Sequence, residues 1–418
     1  MLRFERFIAW RYLRSRRQEG FISIITLLSL LGICLGVATL IIVMSVMNGF
    51  RDELFKKILG FNGHLFVNSF QQAGGLKDYN LVSQKIKQVE GVIAATPLIE
   101  DGAMITSDHG IDFARVRGLS IQDLSSRAFI TDHIIIGNIN QFQEREGVVI
   151  GYKMASRLGV SVGDFITLIT PQNRETIIGN VPRIKDYPIL AIFNVGMSQY
   201  DANFVLLPLA AAQAYFNRGQ SVDYIEIITP NPNQAATVQQ NILRYFRENN
   251  ISYQVDSWQE RYRDFLDVLN VEKTVMFIIL MLIILVASFN IISSQIMTVK
   301  DKRQEIGILR TMGATKKSIL KVFLINGAST GFFGVGAGFL LGIVVVKNIE
   351  AIRQFLQQVI GTELFPNEFY FLSQLPAVMD WGQVLLIVGL AFSLTVLASL
   401  YPAWRAARLD PVKVLRYE

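Results

Sequence analysis

The stretch EIGILRTMGATKKS, Glu305 to Ser318, decides how this chain folds, because it is a short polar break between two long apolar runs. Ile306, Leu309, Met312 and, past the glycine, Ile319 recur at helical spacing, while Glu305, Arg310, Lys316 and Lys317 supply a polar, mostly basic side. A short amphipathic helix joined directly to two apolar runs reads as a loop helix tied to two membrane spans. Lying on anionic lipid would explain its basic charge equally well. That reading does not explain Glu305 or the Gly307/Gly313 pair.

The composition around it agrees. Hydrophobic residues make up 51% of the 418 positions, and the mean hydropathy is +0.35. Crossing a hydrocarbon core of about 30 Å takes about 20 apolar residues. Four segments are long enough: 21–47, 273–298, 318–346 and 380–402. None carries Asp, Glu or His in its interior, and Lys321 lies at an end where it can snorkel. Ion-coupled carriers and proton pumps need ionisable groups within the membrane, so this absence counts against that class. The first run also exceeds the h-region of a signal peptide and closes on Met47-Asn48-Gly49-Phe50 with no A-x-A-like site, which predicts an uncleaved anchor.

The formal net charge of +6 is a matter of topology, with no nucleic acid required. Arg3, Arg6, Arg11, Arg14, Arg16 and Arg17 crowd the N-terminal segment 1–20. Segment 299–317 adds Lys300, Lys302, Arg303, Arg310, Lys316 and Lys317, and the tail 403–418 adds Arg405, Arg408, Lys413 and Arg416. Segment 347–379 has no such excess. The positive-inside rule then puts both termini and the opening helix in the cytoplasm, with 48–272 and 347–379 outside. Cys34 is the single cysteine, so the large external domain must fold on its own core without an internal disulfide.

That external domain reads as mixed α/β. Strand-like GHLFVNS, a helical pattern over Tyr79–Val89, IAATPLIE and FARVRGL come first; YIEIIT, a helix over Asn233–Asn249 and SYQVDSW come last. Between them lie VVIGYKMASRLGV, DFITLIT, YPILAIF and FVLLP, mostly strands. The expectation is two subdomains, an α/β one discontinuous in sequence and a β-rich one inserted at about 120–220. Thr170 to Pro188, TPQNRETIIGNVPRIKDYP, is an unusually long connection for two strands. It reads either as a solvated loop or as a protruding arm. In the spans, Gly32 and Gly36, Gly327 and Gly331, and Gly334, Gly338 and Gly342 fall at four-residue steps and predict close helix contacts.

Catalytic signatures do not emerge. Gly313 is followed by Ala314, which breaks the spacing of a phosphate loop, and no G-x-S-x-G or H-E-x-x-H occurs. His64, His109 and His133 are scattered, without the partners a metal site needs. The chain reads as no enzyme and as holding no metal or cofactor of its own. The opening helix then makes sense as a handle: a partner moving it would tilt the attached spans.

At this point a resemblance is specific. MTVKDKRQEIGILRTMGA, the C-terminal YPAWRAARLDPVKVLRYE and N-terminal WRYLRSRR…FISIITLLSLLGICLGVATLIIVMSVMNGF together resemble the lipoprotein-releasing permeases, the LolC/LolE type of the MacB-like ABC transporters. The resemblance implies an α-helical membrane protein with four transmembrane helices and a large α/β periplasmic domain between the first two. It implies residence in the bacterial inner membrane beside a second permease chain and a cytoplasmic ABC ATPase, LolD, which binds ATP and Mg. The implied work is release of outer-membrane-destined lipoproteins to a periplasmic carrier, LolA.

Carried onto this sequence, the coupling helix comprises Glu305, Ile306, Gly307, Leu309, Arg310, Met312, Gly313 and Ala314. GNVPRIKDYP resembles the carrier-binding arm, with Pro182, Arg183 and Ile184 at the matching place. Met44, Met47 and Phe50, with Tyr370 and Phe371, fall where acyl chains bind. VEKTVM is LolC-like, whereas KDKRQEIGILRTMGA and EFYFLSQLP are LolE-like. The mixture suggests one permease pairing with itself, beside the LolC/LolE heterodimer as the other arrangement. Alternative functions are MacB-like efflux, FtsX-like control of cell-wall hydrolases, or a membrane-anchored scaffold without an ATPase.

Overall fold

The computed structural model describes residues 20–69, 75–142, 146–176, 179–361 and 375–410, with side chains from 27 onward except 171–181. The basic segment 1–19, the tail beyond 410, and Tyr370 and Phe371 lie outside the described residues. The chain divides into two compact units. One runs from Glu53 to Leu266; the other holds the described residues up to Asp52, from Asp267 to 361 and from 375 onward.

Helix α1 covers Gly20–Phe61 and does not stop at Met47. Its 42 residues far exceed the number needed for a membrane crossing. The helix persists because RDELFKKILGF beyond the apolar run keeps helix formers, with Leu54, Phe55, Ile58 and Leu59 on one face.

In the first unit, β1 (Leu65–Ser69), helix α2 (Tyr79–Ile86) and β2 (Ala94–Thr106) open the fold. Strands β3 (Ile111–Leu119), β4 (Ile134–Gly137), β5 (Val148–Gly151), β6 (Phe165–Thr176), β7 (Gly179–Phe193) and β8 (Phe204–Pro208) follow. Strand β9 (Tyr224–Ile228), helix α3 (Ala235–Glu248) and β10 (Tyr253–Ser257) close it. Strands β10, β1, β9 and the first half of β2 form an antiparallel sheet in that order. Val82 and Ile86 of α2, and Ala235, Val238, Ile242 and Phe246 of α3, are buried at helical spacing in the same core.

Strand β2 then changes partners. Ala94–Leu98 pairs with β9, whereas Ile99–Thr106 pairs with β3, and Met104–Thr106 also pairs with β6. From there the ladder runs β2–β3–β8–β5–β7–β6 and returns to β2 where Met104 faces Ile169. The ladder of the β-rich part therefore closes on itself as a barrel, while β6 beyond Thr170 pairs with β7 alone. The barrel starts at Ile99 and takes in β3, whereas the sequence pattern places β3 in the α/β part and the insert at about 120–220. Alternation alone does not reveal that one strand serves two sheets.

The second unit contains α1 up to Asp52, α4 (Arg263–Asp301), α5 (Arg303–Thr311), α6 (Lys316–Lys347), α7 (Ile349–Ile360) and α8 (Trp381–Ala407). Helices α1, α4, α6 and α8 are each long and apolar enough to cross a membrane. Ile33, Val37, Leu40 and Ile41 of α1 pack with Ile284 and Ile291 of α4, Val335 of α6, and Ile387 and Ala391 of α8. The glycines of α6 serve three neighbours. A Cβ at Gly327 would strike Gln295 of α4 and Ser399 of α8, one at Gly331 would strike Thr395 of α8, one at Gly338 would strike Cys34 of α1, and one at Gly334 or Gly342 would press on Ile33 or Ile41 of α1. A Cβ at Gly32 would meet nothing within 4 Å, so no close contact there requires glycine, whereas one at Gly36 would come within 3.7 Å of Ile284 of α4.

Candidate functional site

Helix α5 is wedged at one end of the span bundle. Ile306 is fully buried with Val299 of α4, Ile319 and Phe323 of α6, and Ala403 and Ala406 of α8; Leu309 and Ala314 pack against the same cluster. Gly307 is buried beside Ile306. The turn into α6 depends on Gly313, whose φ of +98° is a left-handed conformation that a side chain would strain. Its N–H donates to the Arg310 carbonyl at 3.2 Å and the Ala314 N–H to the Leu309 carbonyl at 2.9 Å, closing the helix end. Thr315 then caps α6 by accepting from the Ser318 N–H.

The exposed side of α5 departs from the sequence reading. Met312 does not join Ile306 and Leu309 but is 79% exposed, and Ile308, four residues earlier, is 50% exposed. Sequence reasoning missed Ile308, although its i,i+4 spacing to Met312 was the available signal. Glu305 lies beside this pair and bonds Lys302 at 2.6 Å. Arg310 reaches the Ala407 carbonyl at the end of α8, at 3.5 Å. Helix α5 is thus fixed to three spans by one face and offers a small apolar pair with mixed charge by the other.

At the opposite end of the bundle a cavity of about 380 Å³ opens between α1, α4 and α8. Met44, Phe277, Leu386 and Ile387 make it apolar, and Lys273 and Asp380 are the charged residues on its lining among those described. Asp380 also caps α8, accepting from the N–H groups of Gly382 and Gln383. Of the residues expected to hold acyl chains, Met44 lines this cavity; Met47 and Phe50 are half-buried elsewhere on α1. Gly49 lets the 376–377 backbone pass, since a Cβ would collide with the Pro376 carbonyl, and the Val378 N–H donates to the Ser45 carbonyl at 2.9 Å.

Thr170–Pro188 is no loose connection. Strands β6 and β7 pair from Phe165/Pro188 to Thr170/Arg183 and again from Arg174/Val181 to Thr176/Gly179. The register breaks between these ladders, where Pro171 and Pro182 lack the N–H a ladder needs. Pro182 and Ile184 are exposed. Arg183 instead folds back, donating to the carbonyls of Ala214 and, at 2.6 Å, Tyr215. These carbonyls end the helix Leu209–Tyr215, where a cation is favoured, so Arg183 braces the base of the hairpin.

The last turn of α1 meets a buried ionic cluster in its own unit. Arg117 and Arg127 both donate to the Phe61 carbonyl, at 3.1 and 3.2 Å. Arg117 also bonds Asn62 at 2.7 Å and Glu100 at 2.7 and 2.9 Å, and Arg127 pairs with Glu226. Burial alone would raise both carboxyls, but the adjacent guanidiniums, Arg117 for Glu100 and Arg127 for Glu226, hold them below their ordinary range.

Residues 26–245 match the family described as MacB-like periplasmic core domain, and 277–411 match that described as FtsX-like permease C-terminal. Fold and matches together define a permease of the MacB-like class. The chain is 30% identical, over the full length of both proteins, to the lipoprotein-releasing system transmembrane protein LolC of Neisseria meningitidis serogroup B. It is 32% identical to LolC of Xylella fastidiosa (strain Temecula1) and 31% identical to LolE of Haemophilus influenzae, over 98% of each chain. The chain belongs to the LolC/LolE family of permeases.

Proposed function

We propose that this chain is the permease of an ABC transporter in the bacterial inner membrane that releases lipoproteins destined for the outer membrane. The observation carrying this reading is the wedge of α5, which joins three spans through Ile306 and leaves Ile308 and Met312 exposed. A cytoplasmic ATPase of the LolD type, holding ATP and Mg, engages that exposed pair with Glu305 and Arg310. Its movement reaches α4, α6 and α8 because α5 is packed into all of them. The many basic residues flanking α5 support a cytoplasmic location for it and for both termini.

Lipoprotein acyl chains enter near Met44, where the cavity supplies an apolar lining from Phe277 and Leu386. The β6–β7 hairpin, with Pro182 and Ile184 exposed and Arg183 as its brace, is offered to the periplasmic carrier LolA. The mixture of LolC-like and LolE-like motifs, and similarity to relatives of both names, support a permease that pairs with a second copy of itself.

The test is release of a labelled lipoprotein from proteoliposomes, with ATPase and carrier added separately. Transfer that needs ATP, the ATPase and the carrier together supports the proposal; transfer without the ATPase contradicts it. Purification with the ATPase that always yields two different permease chains would exclude self-pairing.

A further inference from the structure

Helix α7 is amphipathic and, beyond Ile349, its apolar side is exposed among the described residues. At 100° per residue, Ile349, Ile352, Phe355, Leu356, Val359 and Ile360 fill one arc, and Glu350, Arg353, Gln354, Gln357 and Gln358 fill the opposite one. The usual rule for a water-soluble helix is inverted here. No residue of α7 is buried; on the apolar arc only Ile349 is partly covered, with Phe355 64% and Val359 68% exposed, whereas on the polar arc Glu350, Arg353 and Gln357 are partly covered. The polar arc is also the one tied to the chain, since Glu350 accepts from the Leu375 N–H at 3.1 Å. Beyond Ile349 the apolar arc therefore faces away from the described residues.

We infer that α7 is an interfacial helix, lying in the plane of the leaflet where α6 emerges and seating its apolar arc among phospholipid acyl chains. Continuity with the span carries the assignment: α6 ends at Lys347 and α7 begins at Ile349, so only Asn348 separates the membrane-crossing helix from the apolar arc. Asn348 makes the bend, its N–H reaching the Val344 and Val345 carbonyls and its side-chain amide the Val344 carbonyl at 2.8 Å. Interface markers flank the bend on both sides. Lys347 closes α6, and Trp381, exposed, opens α8 just after the segment that Glu350 holds.

Charge decides the kind of lipid. The one cation of α7, Arg353, is spent on Glu350, and its other polar residues are glutamines. Electrostatic attraction to anionic headgroups is thus not what holds the helix; apolar burial is. A zwitterionic surface suffices.

Single cysteines at Phe355→Cys, Val359→Cys, Gln354→Cys and Gln358→Cys, in a Cys34→Ala background, place spin labels on both arcs of the full chain in phosphatidylethanolamine vesicles. All four positions are exposed, so folding is undisturbed. The expected result is high oxygen and low nickel-chelate accessibility at 355 and 359, and the reverse at 354 and 358, unchanged when anionic lipid is added. Equal chelate accessibility on both arcs would overturn the inference, as would spin–spin broadening at 355 and 359 that reveals a second copy. Neither readout depends on an ATPase or a lipoprotein, so the proposed function can fail while this result stands.

Discussion

Arg117 donates from Nη1 to the carbonyl oxygen of Phe61, the last residue of α1, at 3.1 Å. A helix end leaves carbonyls without partners and carries partial negative charge, so a buried guanidinium satisfies both needs at once. Arg127 adds a second donor to the same oxygen, and Glu100 and Glu226 balance the two cations. The Phe61 ring is stacked on Tyr200 with 4.0 Å between centroids. The end of α1 is thereby fixed by polar and apolar contacts together.

Removing one member of this cluster leaves a buried charge unpaired. Arg127→Met is expected to destabilise the unit by about 3–5 kcal/mol, whereas Arg127→Met combined with Glu226→Leu is roughly neutral. Thermal unfolding of the full chain in detergent, followed by tryptophan fluorescence, checks the difference. Equal losses in the two variants would contradict the pairing.

Acid should weaken the same unit in two stages. Burial pushes the His64 pKa below its ordinary 6.5, and its Nδ1 accepts from the Thr229 N–H at 3.1 Å, so the folded state holds the neutral ring. The unfolded chain binds that proton more readily, and stability begins to fall as pH drops through 6.5. Glu100 and Glu226 are depressed in the fold, so their contribution is full above their ordinary 4.5 and is lost as pH falls through the folded values. Denaturant midpoints measured from pH 8 to 3 should show a shallow decline, then a steep one, and His64→Gln should remove the first.

The glycines of α6 differ in what they permit. Gly327→Ala drives a methyl into the Gln295 amide and the Ser399 hydroxyl and is expected to cost about 1–3 kcal/mol. Gly336→Ala meets nothing within 4 Å and should gain up to about 1 kcal/mol through helix propensity. Melting temperatures of the two variants in detergent should move in opposite directions.

The cavity gives a prediction for transport. Phe277→Asp puts a charge into the apolar lining and should lower lipoprotein release at least about tenfold, one factor of ten being about 1.4 kcal/mol. Assembly with the ATPase and its basal hydrolysis should remain. Unchanged release would remove this cavity from the lipid route.

The spans were legible because an apolar run long enough to cross a bilayer has few other uses. Barrel closure was not legible, since it rests on pairings such as Met104 with Ile169 and Val116 with Val205, which no local pattern records. Arg115 and Arg117 alternate identically in β3, yet the first is exposed and the second buried under Phe61. Which arginine a helix end recruits depends on tertiary placement. Composition left Thr170–Pro188 open between a solvated loop and a protruding arm because its prolines mimic punctuation, although they only interrupt a ladder. The apolar spacing of α7 was present in the sequence and went unread behind the longer spans.

A photo-crosslinking residue at Met312, compared with one at the packed Leu309, tests in living bacteria whether an ATP-driven partner grips α5. Strong capture of an ATP-hydrolysing ABC subunit from position 312, with little from 309, is the expected result. Absence of any ATPase adduct from 312 while the permease is folded and releasing lipoproteins would contradict it.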